Sequence, residues 1–170
     1  IKKACEPLHV QYNASTAQVQ LVNMMKPAQD IKVIATMYDL KGKEVWKKAD
    51  SAHLPSDSTV NCFEVLSPDT TKSFMLRLEA VSMLNGELLS TNTYFLWGNE
   101  SAKELDSMPI AKVDVRLVFK PTMHFVITNT GDTSALMLRL NLCGEDGEQI
   151  LPVEYSDNYS HLLPGERKAV

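Results

Sequence analysis

Hydrophobic and polar residues alternate with a period of two along most of the chain, in short runs rich in β-branched and aromatic residues. Such alternation is typical of β-strands with one buried face, because successive side chains of a strand point to opposite sides of a sheet. The predicted strands are LHVQYN, QVQLVNMM, IKVIATMYDL, KEVWKKA, STVNCFEVL, SFMLRLEAVSM, ELLSTNTYFLW, KVDVRLVFK, MHFVITNT, ALMLRLNLCG and EQILPVEY. Glycine or proline signals separate these runs, so the chain is predicted to be all-β.

Turn signals and one polar segment divide the chain. Gly42 in LKGKE and Asn85-Gly86 in MLNGE supply residues that accept the positive φ of tight hairpin turns. Residues 99–109 are polar, carry charges of both signs and interrupt the strand pattern. We interpret them as a linker between a first domain, residues 1–98, and a second domain, residues 110–170.

The two predicted domains repeat the same order of parts. In the first domain Asn23 ends a strand, and a hairpin and the stretch HLPSDSTV follow it. In the second domain Asn129 ends a strand, and a hairpin and the stretch HLLPGERKAV follow it. Regular short strands are typical of an immunoglobulin-like sandwich, which needs about 100 residues and about seven strands. The second domain stops at Val170, before equivalents of the last two strands of the first. We therefore expect two tandem immunoglobulin-like β-sandwiches, the second without its closing strands and part of its cover.

Composition and charge exclude several classes of partner. The 170 residues carry a net charge of −4 and contain no run of lysine and arginine interleaved with aromatic residues. We therefore expect no nucleic-acid partner. The longest apolar stretches have the length of a strand, far below the ~20 residues that span a bilayer, so we expect no membrane partner either. No motif indicates a cofactor.

The densest chemical stretch is EYSDNYSHLLPGE, residues 154–166. Asp157 and Asn158 are suited to hydrogen bonds with nearby backbone in Asx turns, and Pro164-Gly165 makes a tight reversal. The corresponding HLPSDS of the first domain has the same proline without a tyrosine, so the reversal needs no catalytic residue. We interpret the stretch as a corner of the scaffold rather than an active site.

Other acidic residues and the histidines do not form a catalytic pattern. Three acidic residues crowd one hairpin tip: Glu145, Asp146 and Glu148. Catalytic carboxylates need a fixed separation on rigid elements, so a solvated turn is the preferred interpretation. Four histidines are scattered, without a GxSxG motif: His9, His53, His124 and His161. No nucleophile or acid–base pair is therefore predicted.

Cysteines and tryptophans are expected in structural positions. The three cysteines form no CxxC pair and have no histidine at ligand spacing, so no metal site is predicted. Cys62 and Cys143 lie in alternating apolar runs and are expected to be small buried thiols, although one disulfide stays open. Trp46 and Trp97 are candidates for stacking on a sugar, but strand tryptophans more often fill cores or interdomain seams, and we expect that here.

Three stretches carry a resemblance to a known family: KKACEPLHVQYN at residues 2–13, the hairpin of the first domain, and ILPVEYSDNYSHLLPGE at residues 150–166. Together they resemble the C-terminal part of glycoside hydrolase family 2 enzymes, in the branch of exo-β-glucosaminidases, mannosylglycoprotein endo-β-mannosidases and β-mannosidases. In that family a jelly roll, an immunoglobulin-like domain and a (β/α)₈ catalytic barrel precede two more sandwiches. The resemblance covers nearly all of the chain, with Ser160 where relatives commonly carry phenylalanine.

The resemblance implies an ancillary role. The family's two catalytic glutamates lie on the barrel, and no stretch here matches their motifs, so no catalytic residue, cofactor or metal ligand is carried over. The implied function is a non-catalytic C-terminal scaffold of a retaining β-glycosidase, with the enzyme's own upstream barrel as partner. Asp157, Asn158 and Tyr159 are the candidate pocket-rim residues, facing a β-linked oligosaccharide. A periplasmic or secreted location is implied in the same way.

A second function class stays open. The alternative is a free-standing carbohydrate-binding or adhesion β-sandwich module. The DNA upstream of Ile1 discriminates the two, because only the first hypothesis requires a barrel with two glutamate motifs there. The sequence does not decide between mannoside and glucosaminide specificity, since the pocket that selects the sugar would lie on the barrel.

Overall fold

A computed structural model of the chain describes residues 5–119 and 123–170. Lys120, which ends the predicted strand KVDVRLVFK, and the first residues of the stretch KKACEP lie outside the described residues. The described chain is all-β apart from one short helix, and it separates into two compact units. Unit 1 comprises the described residues up to 39 together with 43–106, and unit 2 comprises residues 40–42 and the described residues from 107.

Seven strands build unit 1, in two antiparallel sheets. In chain order they are β1 (Leu8–Asn13), β2 (Gln18–Asn23), β3 (Gln29–Tyr38), β4 (Glu44–Leu54), β5 (Ser58–Glu64), β6 (Phe74–Ser82) and β7 (Leu88–Leu96). The first sheet has the order β1-β2-β5 and the second the order β4-β3-β6-β7. All seven lie where the alternation predicts them, although β4 runs five residues farther than the predicted KEVWKKA.

The core of unit 1 lies between these sheets. Alternate residues of β3 and β6 are buried on one side, among them Ile31, Val33 and Leu76, and Val19 and Leu21 of β2 are equally buried. Full burial of one such side chain is worth about 1.5–3 kcal/mol, so the alternation observed in the sequence produces most of the stability of this unit.

The predicted hairpin turns are confirmed. Gly42 has a φ of 83° and Gly86 a φ of 74°, values in the left-handed region that L side chains rarely adopt. In the second turn the amide of Gly86 donates to the carbonyl of Ser82 at 2.9 Å, and the amide of Ser82 donates to the carbonyl of Glu87 at 2.8 Å. Glycine at these two positions therefore sets the reversal of the chain.

A short helix, α1 (Ser101–Asp106), lies in the segment interpreted as a linker. The sequence pattern did not indicate it. The backbone N–H of Ser73 donates to Oε2 of Glu104 at 2.7 Å, so the helix is tied to the start of β6 within unit 1. The boundaries of the two domains and of the linker stay predictions.

Five short strands build unit 2: β8 (Val113–Phe119), β9 (Met123–Asn129), β10 (Ala135–Leu138), β11 (Ser160–Leu162) and β12 (Arg167–Ala169). They form one sheet in the order β12-β9-β8 and a pair, β10-β11. The buried core of the described part of this unit is Ile127, Ala135, Leu162 and Val170. Val115 pairs with Ile127 across the sheet but is half-exposed, as is Leu117. Unit 2 therefore has a much smaller core than unit 1.

Of two strand predictions in unit 2, one is too long and the other is wrong. The predicted strand ALMLRLNLCG ends at Leu138, and EQILPVEY is irregular apart from an isolated bridge between Cys143 and Gln149. Pro152 has no N–H to donate to a ladder, which weakens the second segment as a strand. The amide and carbonyl of Leu140 are both bonded to the side chain of Asn158, so they do not pair with a neighbouring strand. The predicted absence of closing strands after Val170 stays a prediction.

Candidate functional site

Asp157, the first of the three candidate rim residues, is held by a cation. Its Oδ2 is bonded to the ammonium of Lys168, the central residue of β12, and both side chains are mostly buried. Its Oδ1 accepts the backbone N–H of Asn158 at 2.9 Å. Both carboxylate oxygens are therefore engaged within the protein, and the residue fastens the loop to the sheet.

Asn158 replaces a strand partner for Leu140. Its Nδ2 donates to the carbonyl of Leu140 at 3.0 Å, and its Oδ1 accepts the amide of Leu140 at 2.8 Å. A side-chain amide carries the same donor and acceptor as a peptide group, so this pair imitates one rung of a β-ladder. Asn158 thus holds the chain that leaves β10 in place.

Tyr159 is the candidate rim residue with an open side chain. Its ring is 55% exposed and its φ is 56°, a strained conformation for a bulky residue that costs of order 1–3 kcal/mol. The guanidinium carbon of Arg139 lies 5.9 Å from the ring centroid, in cation–π range. The loop therefore presents an aromatic ring backed by a cation.

A cavity of about 300 Å³ lies beside this loop in unit 2, with mostly apolar walls that include Phe125, Leu142 and Val153. Glu154, Tyr155 and Ser156 also line it, whereas the three candidate rim residues do not. The hydroxyl of Tyr155 accepts the amide of Leu142 at 2.9 Å. Val153 and Tyr155 were not predicted as lining residues, although the alternation V-E-Y was a signal that they share one side.

Asn23 in unit 1 forms a buried hydrogen-bonding clamp at the end of β2. Its Nδ2 donates to the carbonyls of Pro27 and Pro55, both at 3.0 Å, and its Oδ1 accepts the amide of Met25 at 2.9 Å. The side chain therefore ties the turn after β2 to the connection after β4.

Asn129 makes the same three kinds of bond in unit 2, at the end of β9. Its Nδ2 donates to the carbonyls of Thr133 at 2.8 Å and Leu162 at 3.0 Å, and its Oδ1 accepts the amide of Gly131 at 3.1 Å. Both asparagines are almost fully buried. The repeat observed in the sequence thus extends to side-chain hydrogen bonding.

The histidines occupy separate surroundings. His9 is buried, with Nδ1 3.7 Å from Oε2 of Glu6, and the hydroxyl of Ser90 donates to this same carboxylate oxygen at 3.0 Å rather than to the imidazole. Nδ1 of His161 accepts the amide of Met137 at 3.1 Å. The His161 contact orders the backbone of β10, and the His9 contact links two side chains.

A second cavity, of about 550 Å³, lies at one end of unit 1. His53 and Asp30 line it, with Nδ1 of the histidine 2.7 Å from Oδ1 of the aspartate, and both side chains are well exposed. Met83 and Leu84 of the turn after β6 form an apolar part of the wall. Ser51 and Ser82 also line this cavity.

The thiol and carboxylate predictions have different outcomes. Cys62 is half-buried, and burial, followed by the negative charge of Asp50, raises the pKa of its thiol to about 11. Cys143 is exposed, which corrects the expectation of a buried thiol, because the segment around it is a turn rather than a strand. At the acidic hairpin tip Oδ1 of Asp146 accepts the amide of Glu148 at 3.0 Å, and all three carboxylates are exposed, as in a solvated turn.

The two tryptophans differ as well. Trp46 is partly buried and packs against the core of unit 1, as predicted. Trp97 is 62% exposed, so the expectation that it fills a core is wrong, while the alternative of an interdomain seam stays a prediction. It follows directly after β7, and its ring stacks on Phe95 with centroids 5.1 Å apart and planes 20° apart.

Across residues 5–119 and 123–170 no three His, Cys, Asp or Glu side chains group closely enough to hold a metal ion. The helix within these ranges is too short to cross a membrane.

Comparison with known families assigns both parts of the chain. Residues 15–97 match the mannosidase Ig/CBM-like domain family, and residues 94–170 match the exo-beta-D-glucosaminidase Ig-fold domain family. An exo-beta-D-glucosaminidase of Streptomyces avermitilis is 27% identical over 203 residues, which covers 97% of this chain and 22% of the relative. The chain thus spans about a fifth of that relative's length.

Solved structures give the same fold. The Amycolatopsis orientalis exo-chitosanase superposes with a TM-score of 0.76 at 20% identity, covering 99% of this chain and 23% of that chain. The beta-D-mannosidase of Dictyoglomus thermophilum superposes with a TM-score of 0.68 at 20% identity, covering 99% and 20%. With both family matches, the chain therefore consists of two tandem immunoglobulin-like domains of the kind that glycoside hydrolase family 2 enzymes carry.

Proposed function

We propose that this chain is the non-catalytic scaffold of a retaining β-glycosidase of the exo-β-D-glucosaminidase type. The observation that carries the proposal is the bonding of the loop at residues 154–166. Asp157 forms an ion pair with Lys168, and the side-chain amide of Asn158 is hydrogen-bonded to the backbone of Leu140. These polar groups of the loop therefore stabilise the fold. The likeness of the whole chain to a fifth of a longer exo-beta-D-glucosaminidase supports this role.

The choice of a glucosaminide rather than a mannoside is part of the proposal. The family match over residues 94–170 and the Streptomyces relative support a glucosaminide. The family match over residues 15–97 and the Dictyoglomus structure keep a mannoside as the alternative. Assay of the complete gene product on aryl-β-glucosaminide and aryl-β-mannoside distinguishes the two.

A hydrolysis assay tests the scaffold role. Carboxylates in retaining glycosidases are paired about 5–5.5 Å apart, one as nucleophile and one as general acid. The purified chain is expected to hydrolyse neither an aryl-β-glucosaminide nor an aryl-β-mannoside. Clear turnover that disappears in Asp157→Ala or Glu154→Ala would contradict the scaffold role.

The rim role of the loop is a further part of the proposal. Tyr159, backed by Arg139, offers the exposed ring, while Asp157 and Asn158 hold the loop that carries it. In the complete gene product, Tyr159→Ala is expected to raise KM several-fold and leave kcat nearly unchanged, because the ring would bind substrate without entering the chemistry. Equal kinetics in the wild type and the variant would remove Tyr159 from the rim.

The second candidate function is a free-standing carbohydrate-binding or adhesion module, and the exposure of Trp97 favours it. The discriminating observation is the DNA upstream of Ile1. A barrel-coding region with two glutamate motifs supports the glycosidase scaffold, whereas a stop codon or a secretion signal directly before the chain supports the free-standing module.

A further inference from the structure

Phe95 and Trp97 form a stacked pair at the end of β7, which is an edge strand of the four-stranded sheet. We refer to these two residues as the aromatic platform. One face of the indole lies against Phe95, and the Trp97 side chain remains 62% exposed. The platform therefore offers a large aromatic surface to solvent in unit 1.

The backbone under the platform is fixed on both sides of Trp97. Leu96, before it, packs against the core and pairs with Phe74 of β6. Gly98, after it, donates its amide to Oγ of Ser73 at 3.2 Å. A Cβ on Gly98 would lie 2.4 Å from the carbonyl carbon of Lys72, a close approach that only glycine permits. Packing and hydrogen bonds thus hold the backbone on both sides of the exposed ring.

Such mounting distinguishes the platform from an ordinary surface hydrophobic residue. Isolated apolar side chains on a surface need no explanation, but here two large aromatic rings stack on a backbone that is held in place. Because the indole already stacks on Phe95, a ligand would lose less affinity to ordering it. The arrangement is that of a pre-organised binding surface for a flat apolar face.

Carboxylates lie near the platform in the chain. The amides of Asn99 and Glu100 donate to the carbonyls of Thr70 and Thr71, at 3.0 and 3.2 Å, so the turn at residues 69–72 adjoins the segment after Trp97. Hydrogen bonds from the Thr71 side chain and backbone hold the pKa of Asp69 below its usual range, which keeps this exposed carboxylate ionised in mild acid. Glu100 adds a second carboxylate, and its Oε1 lies 3.4 Å from Nζ of Lys103 in an exposed ion pair. Lys72 and Lys103 therefore balance these carboxylates, and the indole face itself is the feature that favours a cationic ligand.

We propose that the aromatic platform binds one pyranose ring of a β-linked glucosamine oligosaccharide. In β-D-glucosamine every ring substituent is equatorial, so both faces of the sugar present C–H groups that fit against an aromatic ring. The protonated amine is attracted by the negative face of the indole. The choice of an amino sugar rests on the proposed function, whereas the platform itself stands on the geometry of unit 1.

Titration of the complete 170-residue chain with a β-1,4-linked glucosamine tetramer, followed by ¹H–¹⁵N spectra, tests the platform. The chain has two indole N–H groups, and Trp46, packed against the core, serves as an internal control. We expect a saturable shift of the Trp97 signal and not of the Trp46 signal. Trp97→Ala is expected to weaken binding about tenfold or more, and Trp97→Tyr to retain most of it. The N-acetylated tetramer, which lacks the charge, is expected to bind more weakly.

The matched control is Leu84→Ala, which removes another exposed apolar side chain of unit 1, 94% exposed in the turn after β6. It is expected to bind like the wild type. No saturable shift up to ~10 mM sugar, a range that covers weak binding, would overturn the platform. Shifts confined to Tyr159 would also overturn it while leaving the rim proposal intact. Equal binding of the acetylated tetramer would overturn the amino-sugar assignment.

Discussion

Unit 1 and unit 2 each hold a buried asparagine at the end of a strand, Asn23 and Asn129, and each asparagine ties the following turn to a connection 32 or 33 residues later. The surroundings of the two clamps differ. Unit 1 surrounds its clamp with sheets of three and four strands and a core cluster of fifteen buried hydrophobic residues. The described part of unit 2 has sheets of three and two strands and a core cluster of four such residues.

The comparison shows that the clamp and the core have different roles. The clamp determines the path of the connecting segments, because its three hydrogen bonds join specific backbone groups in the same way in both units. The core sets the stability, because burial contributes about 25 cal/mol per Å² of apolar surface. Equal clamps in unequal cores therefore predict equal local geometry with unequal resistance to unfolding.

The largest effects are expected for Leu54→Ala and Leu162→Ala, at corresponding buried positions after His53 and His161. Each change should cost about 3–4 kcal/mol, from lost burial and the cavity that remains. Unit 1 should stay folded at a lower melting temperature, whereas unit 2 should lose its cooperative unfolding. Both tryptophans lie in unit 1, so their fluorescence follows that unit, and amide hydrogen exchange by mass spectrometry follows both.

The control for the leucine pair is Leu84→Ala, a fully exposed position that should change neither unit. Equal loss of exchange protection in the two units after the leucine substitutions would show that core size does not set their relative stability.

The clamp substitutions Asn23→Ala and Asn129→Ala are expected to cost about 2–3 kcal/mol each, since each leaves buried backbone groups without a partner. Asn→Asp at either position is the matched variant, because it keeps the Oδ1 acceptor and loses both N–H donors. It should recover only the bond to Met25 or Gly131. Chemical denaturation with fluorescence and exchange readouts measures both. A cost below ~0.5 kcal/mol for either alanine variant would contradict the clamp.

Asn158→Ala has no counterpart in unit 1 and is expected to cost about 1–2 kcal/mol, for the two bonds to Leu140. Exchange of the Leu140 amide should rise while that of Ile127 in β9 stays slow, because the loss is local. Protection of the Leu140 amide that is unchanged in the variant would mean that another group holds this segment.

The smallest effects concern two left-handed residues, Ala17 in unit 1 with a φ of 54° and Met137 in unit 2 with a φ of 53°. Substitution of either by glycine relieves strain of about 1–2 kcal/mol and adds backbone entropy to the unfolded chain, for a net gain of ~0.5 kcal/mol. Ala14→Gly, in the same turn as Ala17 but without positive φ, should destabilise instead. Thermal unfolding of the three variants decides the sign, and a loss at both test positions would contradict the strain argument.

Much of the fold was predictable from local pattern. The strands of unit 1 follow from period-two alternation, and the turns at Gly42 and Gly86 from the positive φ that they require. The correspondence of Asn23 and Asn129 was predictable as a position, because both end an alternating run. Their hydrogen bonds were not, because the acceptors on Pro55 and Leu162 are brought near only by the complete sandwich.

The failures have a common physical origin. Around Asn158 a side chain takes the backbone groups of Leu140 that a strand partner would use, a competition that alternation does not reveal. The exposure of Trp97 likewise depends on Gly98 lying against the backbone of Lys72, a contact distant in sequence. The sequence alone indicated the loop that carries the candidate rim residues. It did not indicate that Asp157 is held within the protein while Tyr159 is exposed, because the partner of Asp157 is Lys168, on another element.

The separation of the bonded residues in the two clamps has a consequence for folding kinetics. Asn23 reaches Pro55 across 32 residues, and Asn129 reaches Leu162 across 33. The entropy of closing a loop grows only with the logarithm of its length, so the closure terms of the two units differ by ~0.03 kcal/mol. The length of the loop that the clamp closes therefore does not make either unit fold faster than the other. Any difference between the rates at which the two domains fold must originate in the hydrophobic contacts that form in the transition state.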